Sequence, residues 1–326
     1  MSTRPSPACS GLAKPPPLRP PDAARRHAPA GVAAFACVVL AAALTAASLA
    51  ASLAAPPAAA GTIKISTWNL EWLTARPAGD AALPPDLVPR GTADLRLLAS
   101  YAARLDADVI GLQEVDGPAM AARLFPADRY RIVMTGDAVV QRTGLAVRLG
   151  LAVTRHPDLA ALDVAPPGAP HRLRSGLDVT IGDGTAELRI LVVHLKAGCR
   201  DAPPADPRPA CRTLRRQMAV LDDWIAQRQD EGVPFVLMGD FNRDLTPRDP
   251  YFRAWQGDGP LTLATALHAS PCWGGAYFID HVLLGNRGRD WLVADSLRVL
   301  TYDQQDPAWA ARLSDHCPVS VRLRMP

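Results

Sequence analysis

Six apolar stretches with the character of β-strands recur along this 326-residue chain, each with side chains that can carry chemistry at one end. A fold that accepts them must gather strand ends at one edge. The run Val233-Pro-Phe-Val-Leu-Met-Gly-Asp-Phe-Asn242 shows the design best. Side chains alternate across a strand, so Asp240 and Asn242 point the same way. A carboxylate able to take a proton then sits beside an amide able to orient a water. In isolation, Gly-Asp-Phe-Asn also fits a plain turn with Asx hydrogen bonding. The repetition argues against that. Thr62-Ile-Lys-Ile-Ser-Thr-Trp68 leads to Asn69 and Glu71, and Asp108-Val-Ile-Gly-Leu112 leads to Gln113 and Glu114. Leu188-Arg-Ile-Leu-Val-Val193 leads to His194 and Lys196, and Ala276-Tyr-Phe-Ile279 leads to Asp280 and His281. Ser314-Asp315-His316 opens a last strand, Cys317-Pro-Val-Ser-Val-Arg-Leu323. Packing accounts for the apolar runs, but it gives no reason for acids, imidazoles and Asn at their tips.

The first 60 residues have a different character. A basic, Pro-rich segment carrying Arg4, Lys14, Arg19, Arg25 and Arg26 precedes an uncharged run over Gly31–Ala55, which is followed by Ala58-Ala59-Ala60. This order reads as a secretory signal. The apolar run is also long enough to act as an uncleaved anchor. Cys37 has neither a Leu three residues before it nor an apolar region ahead of it, which excludes a lipoprotein. A secreted or periplasmic protein is therefore expected, or one anchored by residues 31–55. The leader holds five of the 35 basic groups and one of the 32 acidic ones. The remainder has 30 basic and 31 acidic groups, a net charge of −1. The basic balance of the whole chain is thus no argument for nucleic acid binding.

Cys199, Cys211, Cys272 and Cys317 remain after the leader. An even number in an exported chain suggests two disulfides, and the spacings match no compact zinc motif. We expect Cys199 to pair with Cys211 across a Pro-rich loop, and Cys272 with Cys317. Residues 61–326 are enough for one large α/β domain, without an internal repeat or a second linker. Amphipathic helices are predicted over Thr92–Leu105 and Cys211–Gln229. Further strands are predicted at Tyr130–Met134, Gly144–Arg148, Leu151–Thr154 and Gly176–Ile181. Many strands with few long helices point to two packed, mixed sheets with helices outside.

Clustered carboxylates cannot all ionise unless a cation offsets their repulsion. Oxygen donors without thiolate favour Mg²⁺, with Mn²⁺ or Ca²⁺ as substitutes. Glu114 is the first candidate ligand, and Asp315 and Asn69 are the next. No Ser or Cys sits in a nucleophile setting, so water is the expected attacking species. Asp240 would orient and deprotonate it, with Asn242 fixing its position. His316 paired with Asp280 would supply an oriented imidazole.

Trp68-Asn-Leu-Glu71, Gln113-Glu114, His194-Leu-Lys196, Gly239-Asp-Phe-Asn242, Ile279-Asp-His281 and Ser314-Asp-His316 resemble, in order and spacing, the motif set of the endonuclease/exonuclease/phosphatase superfamily. The resemblance spans residues 62–324. It implies a four-layer α/β/β/α sandwich with the site at one end of both sheets. It also implies Mg²⁺ on Glu114 with Asn69 and Asp315 nearby, water at Asp240 and Asn242, and Asp280 polarising His316. His194 becomes a second imidazole at the scissile phosphate. Abasic-site endonucleases have Tyr at that position, so His194 favours the deoxyribonuclease, sphingomyelinase or phosphatase branches. The deoxyribonuclease branch gives this His a Glu partner on an earlier strand, whereas Val139–Val147 offers Gln141 and Arg142 here.

The reading is a monomeric, secreted phosphodiesterase acting on a nucleic acid without an obligate protein partner. Glu71, Lys196, Arg200 and Arg212 are its candidate substrate contacts. A phospholipid or sphingomyelin phosphodiesterase, an inositol phosphate phosphatase, and an inactive binding domain on the same scaffold are the alternatives. Trp273-Gly-Gly-Ala-Tyr-Phe278 is the aromatic cluster a lipid hydrolase could use, but a core-strand role is expected for it. Substrate choice should reside in the loops 79–91, 165–174 and 198–211.

Overall fold

Alternation along the first strand decides which residues reach the site. The structure, a computed structural model, describes residues 61–169 and 171–326. The expected leader, 1–60, lies outside the described residues. In β1 (Thr62–Leu73), Ile63 and Ile65 face the core between the two sheets, while Trp68 and Leu70 face a second core on the outside. The inner row continues through Thr67 to Asn69, so Asn69 leaves the inter-sheet layer at its open end.

The chain continues through α1 (Thr92–Leu105), β2 (Val109–Val115), α2 (Pro118–Ala121), β3 (Tyr130–Met134) and β4 (Arg142–Arg148). Then come β5 (Ala152–Arg155), β6 (Leu177–Gly182), β7 (Glu187–His194), α3 (Pro209–Glu231), β8 (Phe235–Asp240) and α4 (Pro250–Trp255). It ends with β9 (Leu261–Leu263), β10 (Ala269–Ser270), β11 (Ala276–Tyr277), β12 (Asp280–Gly285), β13 (Arg298–Val299) and β14 (Val319–Arg324). One six-stranded sheet has the order β13-β14-β1-β2-β4-β3, the other β5-β6-β7-β8-β12-β9. Each is mixed, since β1 is parallel to β2 and β7 to β8 while the other ladders are antiparallel.

Three cores define the layers. One lies under α1, which buries Leu95, Leu98, Tyr101, Ala102 and Leu105 against the first sheet. A second lies under α3, whose buried face carries Leu214, Met218, Leu221, Trp224 and Ile225. The third fills the space between the sheets. This is the expected α/β/β/α sandwich. Pro209 opens α3 where a missing N–H costs nothing, and Gly232 ends it at φ 66°.

The inner rows of four strands converge at one end. Ile190 and Val192 precede His194 in β7, Val236 and Met238 precede Asp240 in β8, and Asp280 precedes Val282 and Leu284 in β12. Gly239 is required for this meeting. Its φ is 144°, and a Cβ there would overlap the carbonyl of Val193 on the adjacent parallel strand.

Two expected boundaries are corrected. Ala276–Ile279 is not the sheet strand that leads to Asp280. Gly274 and Gly275 turn the chain, and Ala276–Tyr277 pairs only with Ala269–Ser270 in a small ribbon. Asp280 instead opens β12 and lies opposite Asp240 across an antiparallel ladder, so it reaches the same edge from the other direction. The last strand begins at Val319 rather than Cys317, because Pro318 has no N–H for the ladder. Among the described residues, no helix is long and apolar enough to cross a membrane.

Candidate active site

Asp240 is the centre of the cluster and is buried. Its Oδ1 accepts the backbone N–H of Asn242 at 2.7 Å. Its Oδ2 accepts from Asn242 Nδ2 at 3.1 Å and from Asn69 Nδ2 at 3.0 Å. The His194 and His316 Nε2 atoms lie 3.5 and 3.8 Å from the same oxygen. Burial raises the Asp240 carboxyl to about 7, against the nearby His316 cation. A carboxylate ready to take a proton near neutrality therefore has its orientation fixed by two amides.

His316 is held from its other nitrogen, with Nδ1 2.7 Å from Asp280 Oδ2. Burial works against charge on this imidazole, but the Asp280, Asp240 and Asp315 carboxylates outweigh it and hold it protonated well above its ordinary range. The segment carrying it is tied on every side. Ser314 Oγ donates to the Asn69 carbonyl, Trp273 Nε1 to the Ser314 carbonyl, and Tyr302 O–H to the His316 carbonyl, all at 2.8 Å. Cys317 is joined to Cys272, and Cys199 to Cys211, so both expected disulfides are present.

His194 differs from its expected setting. Its Nε2 accepts from Arg174 Nη2 at 2.7 Å, and its Nδ1 is buried without a partner. Burial, then Arg174 and His316, push it well below its ordinary range, so it is neutral. No acid from β4 reaches it among the described residues. Arg142 there donates to the Val139 carbonyl, and Glu114 approaches from β2 with Oε1 3.5 Å from His194 Nε2. Arg174 also donates to the His194 carbonyl at 3.1 Å. Nothing in the sequence singles out Arg174 beyond its place in a positive loop segment. It lies three residues before the start of β6, and because β6 runs antiparallel to β7 that start lies beside the end of β7. Polar residues at strand starts, not only at strand ends, are the signal that finds it.

Glu114 accepts Asn69 Nδ2 at 3.2 Å and the Trp72 N–H at 3.1 Å. Glu71 accepts the Asp315 N–H at 3.0 Å, and burial followed by the Asp315 charge pushes it up to about 7. Asp315 stands more than half exposed at the mouth. Asn69 directs its NH₂ into the site and its Oδ1 to the Glu71 N–H, so as placed it is a donor bridging Glu114 and Asp240. Lys196 lies close enough for its charge to depress His194, and its N–H donates to Gln217.

The remaining candidates lie apart. Arg200 is paired with Asp244 at 2.5 Å and donates to the Tyr277 carbonyl at 2.7 Å. Arg212 donates to the Pro207 carbonyl. His281 points to the outer core, where Thr265 Oγ1 and the Arg243 carbonyl bracket its ring at 2.6 and 2.9 Å. The aromatic run is not a core strand, since Trp273 stacks on Tyr302 while Tyr277 is 67% exposed.

The model of the Endonuclease/Exonuclease/phosphatase family matches residues 66–316, the stretch that carries every side chain of this site. The chain belongs to this family. It is a hydrolase acting on ester bonds, as metal-dependent family members are. None of the curated proteins compared with it matches in sequence. Among solved structures it is similar to TDP2 from Caenorhabditis elegans, with 14% identity and a TM-score of 0.52 over 81% of this chain and 74% of that one. TDP2 from D. rerio, complexed with a single-strand DNA product, gives 17% identity and a TM-score of 0.53 over 80% and 98%. The Neisseria 3' phosphatase NExo, bound to a product DNA hairpin, gives 20% identity and 0.51 over 80% and 99%.

The donor set fits the divalent metal that the family implies. Glu71, Glu114 and Asp315 offer oxygen only, and the Asp315 and Glu114 charges both help to raise Glu71, which is the repulsion a cation would relieve. A second group, Asp240, Asp280 and His316, places its ligand atoms within 4.8 Å of one another. In that second group Asp240 Oδ2 already accepts from two amides, and Asp280 Oδ2 is already paired with His316 Nδ1.

Proposed function

We propose that the chain is an exported phosphodiesterase that hydrolyses a nucleic acid backbone with water activated at Asp240. The single observation behind this reading is the convergence on Asp240 Oδ2 of Asn69, Asn242, His194 and His316 from four separate segments. Asp240 receives the water's proton, and Asn242 fixes the water's direction. His316, cationic and oriented by Asp280, faces the charge that builds on the phosphorus oxygens and stabilises it more in the transition state than before. Arg174 presents a planar set of donors suited to phosphate. His194, neutral and held by Arg174, shapes this pocket rather than delivering a proton. Glu114 and Asp315 would hold Mg²⁺, which supplies charge neutralisation at the phosphate when bound.

A nucleic acid is favoured as substrate because two of the fold neighbours carry DNA products. Export is supported by the two disulfides, which persist in oxidising compartments. The test is hydrolysis of DNA, RNA, sphingomyelin and inositol phosphates, each with Mg²⁺ and with EDTA. Metal-dependent cleavage of DNA or RNA is expected. Cleavage of sphingomyelin alone would move the protein to the lipid branch.

A further inference from the structure

The end of β1 is built from backbone that ordinary residues avoid. Glu71 and Trp72 have φ of 44° and 54°, and Glu114 on the neighbouring strand has 61°. Non-glycine residues adopt this left-handed backbone only when their surroundings hold them in it. The β1–β2 register breaks between Asn69 and Leu73 at this point. Local hydrogen bonds hold part of the kink, from the Glu71 N–H to Asn69 Oδ1 at 2.9 Å and from the Trp72 N–H to Glu114 Oε2 at 3.1 Å.

The remaining support comes from Arg90, just ahead of α1. Its side chain is only 4% exposed. Nη1 donates to the Glu71 carbonyl at 2.6 Å, and Nη2 lies 3.5 Å from Glu71 Oε2. Nε is buried without a partner. A guanidinium sealed away from water and incompletely bonded is costly, and Glu71 is its one ion-pair partner among the described residues. Glu71 Oε2 in turn accepts the N–H of Asp315, the residue before His316. One cation therefore reaches, through one carboxylate, both the strained tip of β1 and the segment bearing the catalytic imidazole.

We propose that Arg90 is a positioning residue for hydrolysis. By clamping the carbonyl and the carboxylate of Glu71, it locks the kinked end of β1 to the 314–316 tip. Asn69, Glu114, Asp315 and His316 then keep one arrangement before substrate arrives. This rests on the hydrolytic reading above. The competing role is a space-filling cation beneath the start of α1, which would affect melting but not turnover.

The test uses the purified full chain and its R90M, R90K and R90A variants, assayed well below their melting temperatures with bis(p-nitrophenyl) phosphate and Mg²⁺. In R90M, kcat should fall about 10- to 100-fold, the scale of loss expected when reacting groups shift by an ångström, while KM stays unchanged. R90K should recover part of the loss, and added guanidinium should restore R90A. In the proton NMR spectrum, the His316 Nδ1 proton bonded to Asp280 should shift or broaden in R90M. Wild-type kcat in R90M overturns the proposal, and so does a loss that neither Lys nor guanidinium repairs. If the wild type hydrolyses no phosphoester at all, the functional reading fails on its own. The positioning role is then decided by the imidazole proton, and an unchanged resonance in R90M overturns it.

Discussion

His316 Nδ1 and Asp280 Oδ2 are 2.7 Å apart although 36 residues separate them in the chain. Their hydrogen bond joins the two sheets. Asp280 starts β12 in one sheet, and His316 lies just before β14 in the other. Sheet packing therefore sets the imidazole's orientation, and through it the direction of its Nε2 toward Asp240.

His316→Ala should lower kcat by about 10²- to 10⁴-fold, as loss of a group acting on transition-state charge and protons does. Asp280→Asn should lower it less, because the imidazole remains but loses the carboxylate that favours its charge. Steady-state kinetics on one small phosphodiester would decide. A change confined to KM in both variants would contradict the assigned roles.

Glu114→Gln keeps the side-chain size and removes a charge from the proposed metal site. The half-saturating Mg²⁺ concentration should rise at least tenfold, equivalent to about 1.4 kcal/mol of lost affinity. Metal titrations of activity and of calorimetric binding should agree. An unaltered Mg²⁺ requirement would remove Glu114 from the ligand set.

His281 supplies a pH signature in stability rather than catalysis. Burial lowers its pKa from 6.5 to about 4. Between those values the unfolded chain binds a proton that the folded chain does not, so stability is complete above pH 6.5 and is lost as pH falls toward 4. The full difference corresponds to about 3 kcal/mol. His316, held charged when folded, acts in the opposite sense, so the comparison must be differential. Denaturant unfolding of wild type and His281→Gln at a series of pH values should show a flatter acid limb for the variant. Parallel limbs would refute the assignment.

The disulfides should separate stability from function. Cys199–Cys211 spans 12 residues and Cys272–Cys317 spans 45. On loop entropy alone, replacing each pair by Ser costs about 3 and about 4 kcal/mol. Only the second pair adjoins His316, so only its removal should also lower kcat in molecules that remain folded. Equal kcat losses in both double variants would show that the second bridge has no special link to the site.

Much of this site is legible in the sequence because a period of two fixes facing. Once Asn69, His194 and Asp240 are recognised on strand ends, alternation places them in one layer, and the structure has them there. Asp280 belongs to the site for a different reason from the one its sequence suggests. The apolar run before it looks like its strand, whereas the strand is the run after it, and only the antiparallel ladder with β8 brings Asp280 to the same edge. Arg90 is not legible, and Arg174 is legible only as part of a positive loop segment at a strand start. Both lie in loops whose composition gives no period, and their roles depend on which carboxylate or imidazole the closed fold presents to them. His281 shares a motif with Asp280 yet faces the other way, again by alternation.

The arginines offer the sharpest separation between a general phosphoesterase and a nuclease. Arg174 lies within 2.7 Å of His194, inside the reaction site, so Arg174→Ala should slow every phosphodiester, small or polymeric. Arg200, Arg208 and Arg212 sit in and beside the loop closed by Cys199–Cys211, where Arg200 and Arg208 form exposed ion pairs with Asp244 and Asp206. Exposed pairs of this kind contribute about 0–1 kcal/mol, so a polyanion can displace them with little loss. Replacing all three by Ala should leave hydrolysis of a small phosphodiester unchanged and weaken binding of nucleic acid. For every phosphate that is no longer neutralised, the slope of log affinity against log salt should shrink by about 0.7 for single strands or about 0.9 for duplex. With a net charge of −1 over residues 61–326, the grip must be local, so little sequence preference is expected. An unchanged salt slope in the triple variant would exclude these arginines from the substrate path and leave them as surface ion pairs, while the site around Asp240 would keep its assigned chemistry.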